Sequence, residues 1–179
     1  MGVFEHALPA DWGIASPRGI FPSTRGGYSW TEGRGSTHLP AFDEAARRLN
    51  AWISDTAASL GSDPRRVVWM GFSQGAALAF AVLLRGAAVL GVASLAGFLP
   101  EDVDHLPPGP RVFWAHGRRD EDVPIARARA DAERLRSFGA EVEFCDADVD
   151  HRVGAACLTA LRRWLDDVGR PPAGSRLVS

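Results

Sequence analysis

Short runs of apolar, β-branched residues alternate along this chain with longer stretches that repeat apolar residues at helix spacing. Phe42, Ala45, Ala46, Leu49, Trp52, Ile53, Ala57 and Leu60 recur on a period near 3.6, which predicts an amphipathic helix ended by Gly61 and the Asp63-Pro64 turn. Arg66–Met70, Val89–Leu95 and Arg111–Ala115 are continuous apolar runs and read as buried strands. Ala76–Leu84 is apolar all round and reads as a buried helix. Pro124 opens a second amphipathic helix, with Ile125, Ala128, Ala132, Leu135 and Phe138 on one face before Gly139. Glu141–Cys145 alternates as a half-buried edge strand does, and a last helix carries Val153, Cys157, Leu161, Trp164, Leu165 and Val168, with Gly169 as its cap. Trp12–Ser16 is a weak strand candidate, and Arg18–Ser36, rich in Gly, Pro, Ser and Thr, reads as a loop.

Alternating strands and helices with Val-rich strands predict an α/β fold with a mostly parallel sheet and helices on both faces. The 179 residues fit one domain over the whole chain, with 170–179 as a flexible tail. No repeat or linker interrupts it. Composition narrows the function classes. The formal net charge is -2 and all 20 basic residues are Arg, scattered along the chain, so nothing suggests a nucleic-acid partner. No apolar run approaches the ~20 residues of a membrane span. Glu5 and Asp11, with no apolar segment between, do not look like a signal peptide, so the default location is cytoplasmic. Cys145 and Cys157 define no disulfide framework and read as small buried apolar residues.

The chemistry begins at Gly71-Phe72-Ser73-Gln74-Gly75, which fits G-x-S-x-G between an apolar strand and a buried helix. That setting is a nucleophile elbow: a tight turn that needs small neighbours, here Gly71 and Gly75, and lifts Ser73 off the sheet's C-terminal edge. The Ser73 hydroxyl and the Gln74 N–H would lie at a helix N-terminus, which favours developing negative charge. A serine nucleophile needs a base, and the base an orienting carboxylate, in the chain order Ser, Asp or Glu, His. His151 follows the last strand. Asp120, Glu121 and Asp122 follow the strand before it, and spacing alone leaves Asp120 and Asp122 in competition. His116, at a strand end, suits a turn-shaping hydrogen bond better than proton transfer. Asp146, Asp148 and Asp150 imitate the start of an EF-hand, but His151 and Cys157 stand where its Gly and Glu belong, so these acids read as a solvated loop that would raise the basicity of His151. No phosphate-binding glycine motif is present.

Taken together, several stretches resemble the phospholipase/carboxylesterase family of α/β-hydrolases, which includes acyl-protein thioesterases. They are Ser16-Pro-Arg-Gly19, Gly26-Gly-Tyr-Ser-Trp30, Asp63-Pro-Arg-Arg-Val-Val68 leading into Gly71–Gly75, Ala96-Gly-Phe-Leu-Pro100, His116-Gly-Arg-Arg-Asp120 with Val123-Pro124, and Asp150-His151-Arg-Val153. The resemblance implies a carboxylic ester hydrolase, with thioesters as a variant substrate. It implies that Ser73 is the nucleophile, Asp120 the acid and His151 the base, and that the Gln74 N–H is one oxyanion donor. It needs neither metal nor organic cofactor. Tyr28, Trp30, Phe98 and Leu99 would line the substrate site, with ordinary packing an equal alternative. One departure matters. Family members carry an earlier, central strand ending in a His-Gly-Gly-type loop that supplies a second oxyanion donor, whereas no His-Gly motif precedes Trp12 and Val3–Leu8 looks like the helix after that loop. The expectation is unpaired backbone between Trp12–Ser16 and Arg66–Met70, unless neighbours close up or a second copy fills the gap as a homodimer. A misassigned start codon, a reduced hydrolase and a weakly active or binding-only relative all fit that departure.

Overall fold

The computed structural model describes residues 12–24, 26–33 and 35–170. The helix expected over Val3–Leu8 and the tail expected beyond 170 lie outside the described residues. A small hairpin comes first, with β1 (Phe21–Pro22) antiparallel to β2 (Tyr28–Ser29), so the loop expected over 18–36 contains a short pairing. A single 3₁₀ turn, Leu39–Phe42, leads into α1 (Asp43–Ser59). Then follow β3 (Val68–Phe72), α2 (Gln74–Leu84), β4 (Gly91–Leu95), β5 (Arg111–Gly117), α3 (Ile125–Ser137), β6 (Glu141–Ala147) and α4 (Ala155–Val168). The four later strands form one parallel sheet in the order β3-β4-β5-β6.

Side-chain alternation divides this sheet between two cores. Trp69, Val92, Val112 and Trp114 face α1, α2 and α3. Ala93, Leu95, Phe113 and Ala115 face α4, whose stripe of Cys157, Leu161, Trp164, Leu165 and Val168 is buried. The expected helices on both faces are therefore present. Every residue of α2 from Ala76 to Leu83 is buried, which explains why its sequence shows no polar face. No helix among the described residues is long and apolar enough to cross a membrane.

Two expectations fail. Trp12–Ser16 forms no strand. An extended segment becomes a strand only through a ladder partner, and it has none among the described residues. A cavity of about 840 Å³ lies between this segment and β3, walled by Ile14, Ala15, Trp52, Trp69, Met70 and Leu165, among others. The neighbours have not closed up. The indole N–H of Trp69 is buried there without a hydrogen-bond partner.

The second correction concerns the cysteines. Cys145 on β6 and Cys157 on α4 are joined in a disulfide, with their Cα atoms 5.7 Å apart. Both sit on facing surfaces of the sheet–helix interface, so the burial expected of them holds for Cys157 while their independence does not. Disulfides are rare where glutathione keeps thiols reduced, so this bond gives no support to the default cytoplasmic location.

The outer edge of β3, unpaired among the described residues, makes a local prediction. Val67 O accepts from Leu90 N–H and Ser73 N–H donates to Leu95 O, so odd-numbered residues of this strand point their backbone groups at β4. By alternation, Val68, Met70 and Phe72 point theirs into the cavity. Hydrogen exchange read residue by residue should therefore show fast amides at 68, 70 and 72 beside protected ones at 69, 71 and 73. Uniform protection would mean that the edge is paired in solution.

Candidate active site

In a parallel sheet every strand ends at the same side, so residues following β3, β5 and β6 meet there whatever their separation in sequence. Ser73 follows β3, Asp120 follows β5 and His151 follows β6.

Ser73 sits at φ 52°, ψ -118°, in backbone space that L-residues rarely occupy. The turn is held by Ser73 N–H donating to Leu95 O and Ala76 N–H donating to Ser73 O. A Cβ on Gly71 would overlap the Gly75 carbonyl, so Gly71 has to be glycine. Gly75 differs from expectation. A Cβ there meets nothing within 4 Å, because the tight approach is made by its backbone rather than by its Cα substituent. As the first residue of α2, Gln74 has no carbonyl four residues back to receive its N–H.

The Gln74 side chain has a task the sequence did not reveal. Its Oε1 accepts from the Ser29 hydroxyl and from Trp30 N–H, both at 3.1 Å, and its Nε2 donates to Thr31 Oγ1 at 2.8 Å. One amide thus clamps the 29–31 loop onto the elbow across more than forty residues of chain. An amide flanked by both donors and acceptors suits such a bridge, but only the fold reveals its partners.

Asp120, rather than Asp122, carries the carboxylate that hydrogen-bonds to His151. Its Oδ1 accepts from the N–H groups of Asp122 and Val123, and its Oδ2 lies 2.8 Å from His151 Nδ1. The Asp120 side chain is fully buried, whereas Asp122 is exposed. His116 stands behind it. Its Nε2 donates to Val123 O at 2.8 Å, and its Nδ1 accepts from Trp114 Nε1 at 3.3 Å, which fixes the neutral tautomer. Burial pushes the His116 pKa below its ordinary value, in keeping with that neutral form. It shapes the turn that presents Asp120, as its place at the strand end suggested.

His151 packs on the ring of Phe72, the residue before Ser73, with centroids 4.8 Å apart. Its loop lies directly across the end of β5. A Cβ on Gly117 would overlap the carbonyls of Val149 and Asp150, so glycine is what lets that loop come so close. With Nδ1 turned to Asp120, Nε2 is the free ring nitrogen. The structure contains no hydrogen bond between Ser73 and His151. Such bonds are often long before substrate binds.

The acidic run is solvated at Asp148 and Asp150, as expected, and its carboxylates are paired with arginines. Asp146 pairs with Arg118 and Arg129, and Asp148 and Asp150 with Arg119. The Arg129 and Arg118 guanidiniums hold Asp146 below its usual carboxylate value. Asp120, Asp122 and His151 bring oxygen and nitrogen atoms within 4.8 Å of one another, but the Asp120–His151 pairing already uses the two best donors.

Of the four expected lining residues, Trp30 borders the cavity and Tyr28 is half exposed, with the Arg18 guanidinium over its ring. Phe98 and Leu99 are buried in the core facing α1 to α3 and do not line this cavity. The Leu99 N–H donates to the buried Asp131 carboxylate, whose pKa burial raises.

A parallel α/β sheet with a strained serine at a strand–helix turn, and a buried Asp–His pair at the same end, defines an α/β-hydrolase-like molecule. Residues 28–168 match the family model described as Phospholipase/Carboxylesterase, and the chain belongs to that family. It is 31% identical over 132 residues to a rice protein (Oryza sativa subsp. japonica) named a probable inactive carboxylesterase, covering 69% of this chain and 54% of the rice protein. The chain thus spans about half the length of the curated relative it matches. Among solved structures it is similar to YahD with malic acid, at a TM-score of 0.80 and 21% identity over 93% of this chain and 85% of that one. It is likewise similar to the Bacillus cereus carboxylesterase, at a TM-score of 0.78 and 20% identity over 93% and 80% of the two chains. At these identities the two structures establish the fold.

The elbow geometry separates its two glycines experimentally. Gly71→Ala should lower the unfolding free energy by ~2–4 kcal/mol or prevent folding, as overlap with fixed backbone does. Gly75→Ala should leave it unchanged or raise it by up to ~1 kcal/mol. Urea titration of both variants reads the difference, and equal losses would contradict the packing described.

Proposed function

We propose that this chain is a serine hydrolase of carboxylic esters, with thioesters as a further substrate class, working through an acyl-enzyme. The observation that carries the reading is the 2.8 Å contact between Asp120 Oδ2 and His151 Nδ1, at the sheet end where Ser73 is held at φ 52°. In this reading Asp120 keeps the proton on His151 Nδ1 and stabilises the imidazolium that forms. His151 Nε2 takes the Ser73 hydroxyl proton as Oγ attacks the acyl carbonyl. The oxyanion is held by the Gln74 N–H at the start of α2. His151 then gives its proton to the leaving alcohol or thiol, and afterwards takes one from the water that frees Ser73. No step calls for a metal or organic cofactor.

A second reading has its own support. The matching rice protein is named probable inactive, and among the described residues β3 has no ladder partner on its outer edge beside the elbow. On that reading the chain is a binding protein or a weakly active hydrolase.

Turnover of short p-nitrophenyl esters by purified, folded protein decides between them. The hydrolase reading expects Ser73→Ala to abolish turnover and Asp120→Asn to lower kcat by ~10³–10⁴-fold, the scale of losing an orienting carboxylate. Folded protein that does not exceed the Ser73→Ala background would leave the binding reading standing.

A further inference from the structure

We propose that the Cys145–Cys157 disulfide is a positioning element for His151, and that opening it with a dithiol disengages His151 from Asp120. The inference rests on the reading of His151 as the base. It starts from where the two cysteines stand. Cys145 is near the end of β6 and Cys157 is in the first turn of α4, so the bond closes the intervening chain into one covalent ring. His151 is midway, six residues from each sulfur-bearing residue.

Few buried side chains stiffen this ring. Between Asp146 and Ala156 only Gly154 is buried, while Ala147 and Val153 pack partly buried against the core facing α4. Besides the Asp120–His151 bond and the His151–Phe72 ring contact, its side-chain anchors are ion pairs of Arg119 with Asp148 and Asp150, of Arg152 with Asp150, and of Arg118 and Arg129 with Asp146. Pairs of that kind are weak and screened by salt. Its backbone anchors are the N–H groups of Arg118 and Arg119, which donate to Ala147 O and Val149 O. The disulfide is the one covalent tether on a segment that must hold an imidazole within hydrogen-bond distance of a buried carboxylate. Misplacement by about 1 Å costs on the order of 10²-fold in rate.

The two sulfur-bearing residues also differ in burial. Cys157 is fully buried, and Cys145 is only half-buried. A dithiol's thiolate attacks Cys145 Sγ, breaks the Sγ–Sγ bond and expels the Cys157 thiolate, which takes a proton. The dithiol's second thiolate then displaces Cys145 Sγ, which is protonated in turn. The reagent leaves as a cyclic disulfide, and the protein has gained two electrons and two protons.

The test compares oxidised protein, dithiothreitol-reduced protein and the Cys145→Ala/Cys157→Ala double variant, all well below their unfolding temperatures and with folding checked by circular dichroism. Ester turnover should show kcat lower by ~10-fold or more in the reduced and double-variant forms, with KM moving by less than ~2-fold. Reoxidation should restore the wild type and leave the double variant unchanged. Imidazole NMR supplies a readout that needs no turnover: the His151 Nδ1 proton should resonate in the oxidised form and be lost to exchange in the reduced one. Folded forms with equal kcat and the same His151 resonance would overturn the proposal and leave the disulfide a plain stabiliser. If the oxidised protein hydrolyses no ester, the functional reading falls, and the resonance alone decides the positioning claim.

Discussion

A buried carboxylate needs its lone pairs filled, and the far side of this molecule's sheet is organised around filling those of Asp120. Charged oxygen with no guanidinium beside it survives burial only through hydrogen bonds. The turn after β5 supplies two backbone N–H groups, and His151 supplies the third donor. Each donor depends on something further away. The turn is held by His116, whose tautomer is set by Trp114, and the loop of His151 reaches Asp120 only because Gly117 leaves room across the end of β5. The same contact that satisfies the carboxylate therefore orients the imidazole. Stability and prospective chemistry draw on one hydrogen bond.

The opposite edge of the sheet shows the reverse situation. β6 closes one side as a half-buried strand, while β3 presents backbone groups to an apolar cavity bounded by Trp12–Pro17. A parallel strand with both faces covered is built for pairing on both edges. Within one fold, the Asp120 side is saturated with partners and the β3 side is not. The elbow lies between them, pinned to β4 by Ser73 N–H and to the 29–31 loop by the Gln74 amide. These contacts keep Ser73 in its strained conformation even though the neighbouring strand edge has no partner among the described residues.

Much of this was legible from residue order. Apolar periodicity marked α1 and α3, and the continuous runs marked β3, β4 and β5, because those elements bury the faces that their sequences display. The elbow was readable because strand, small residue, serine and buried helix occur in one unbroken stretch. What escaped was every feature made by distant residues meeting. The Cys145–Cys157 bond needs β6 packed on α4 before the two sulfurs can be seen as neighbours. The arginine partners of the acids at 146, 148 and 150 stayed hidden because Arg118, Arg119 and Arg129 belong to other segments. Trp12–Ser16 had strand-like residues but no partner, and pairing is a property of two segments. Asp120 could not be told from Asp122 by spacing, since the choice is made by which carboxylate turns inward beneath His151.

The central claim is that Ser73 is activated by the His151–Asp120 pair. The most direct measurement treats folded protein with a fluorophosphonate and locates the adduct by peptide mass spectrometry, in wild type and in His151→Ala. The account predicts a single adduct on the peptide bearing Ser73, formed quickly in the wild type and nearly absent in the variant. An adduct that forms equally fast without His151, or no adduct on Ser73 in folded wild-type protein, would contradict it.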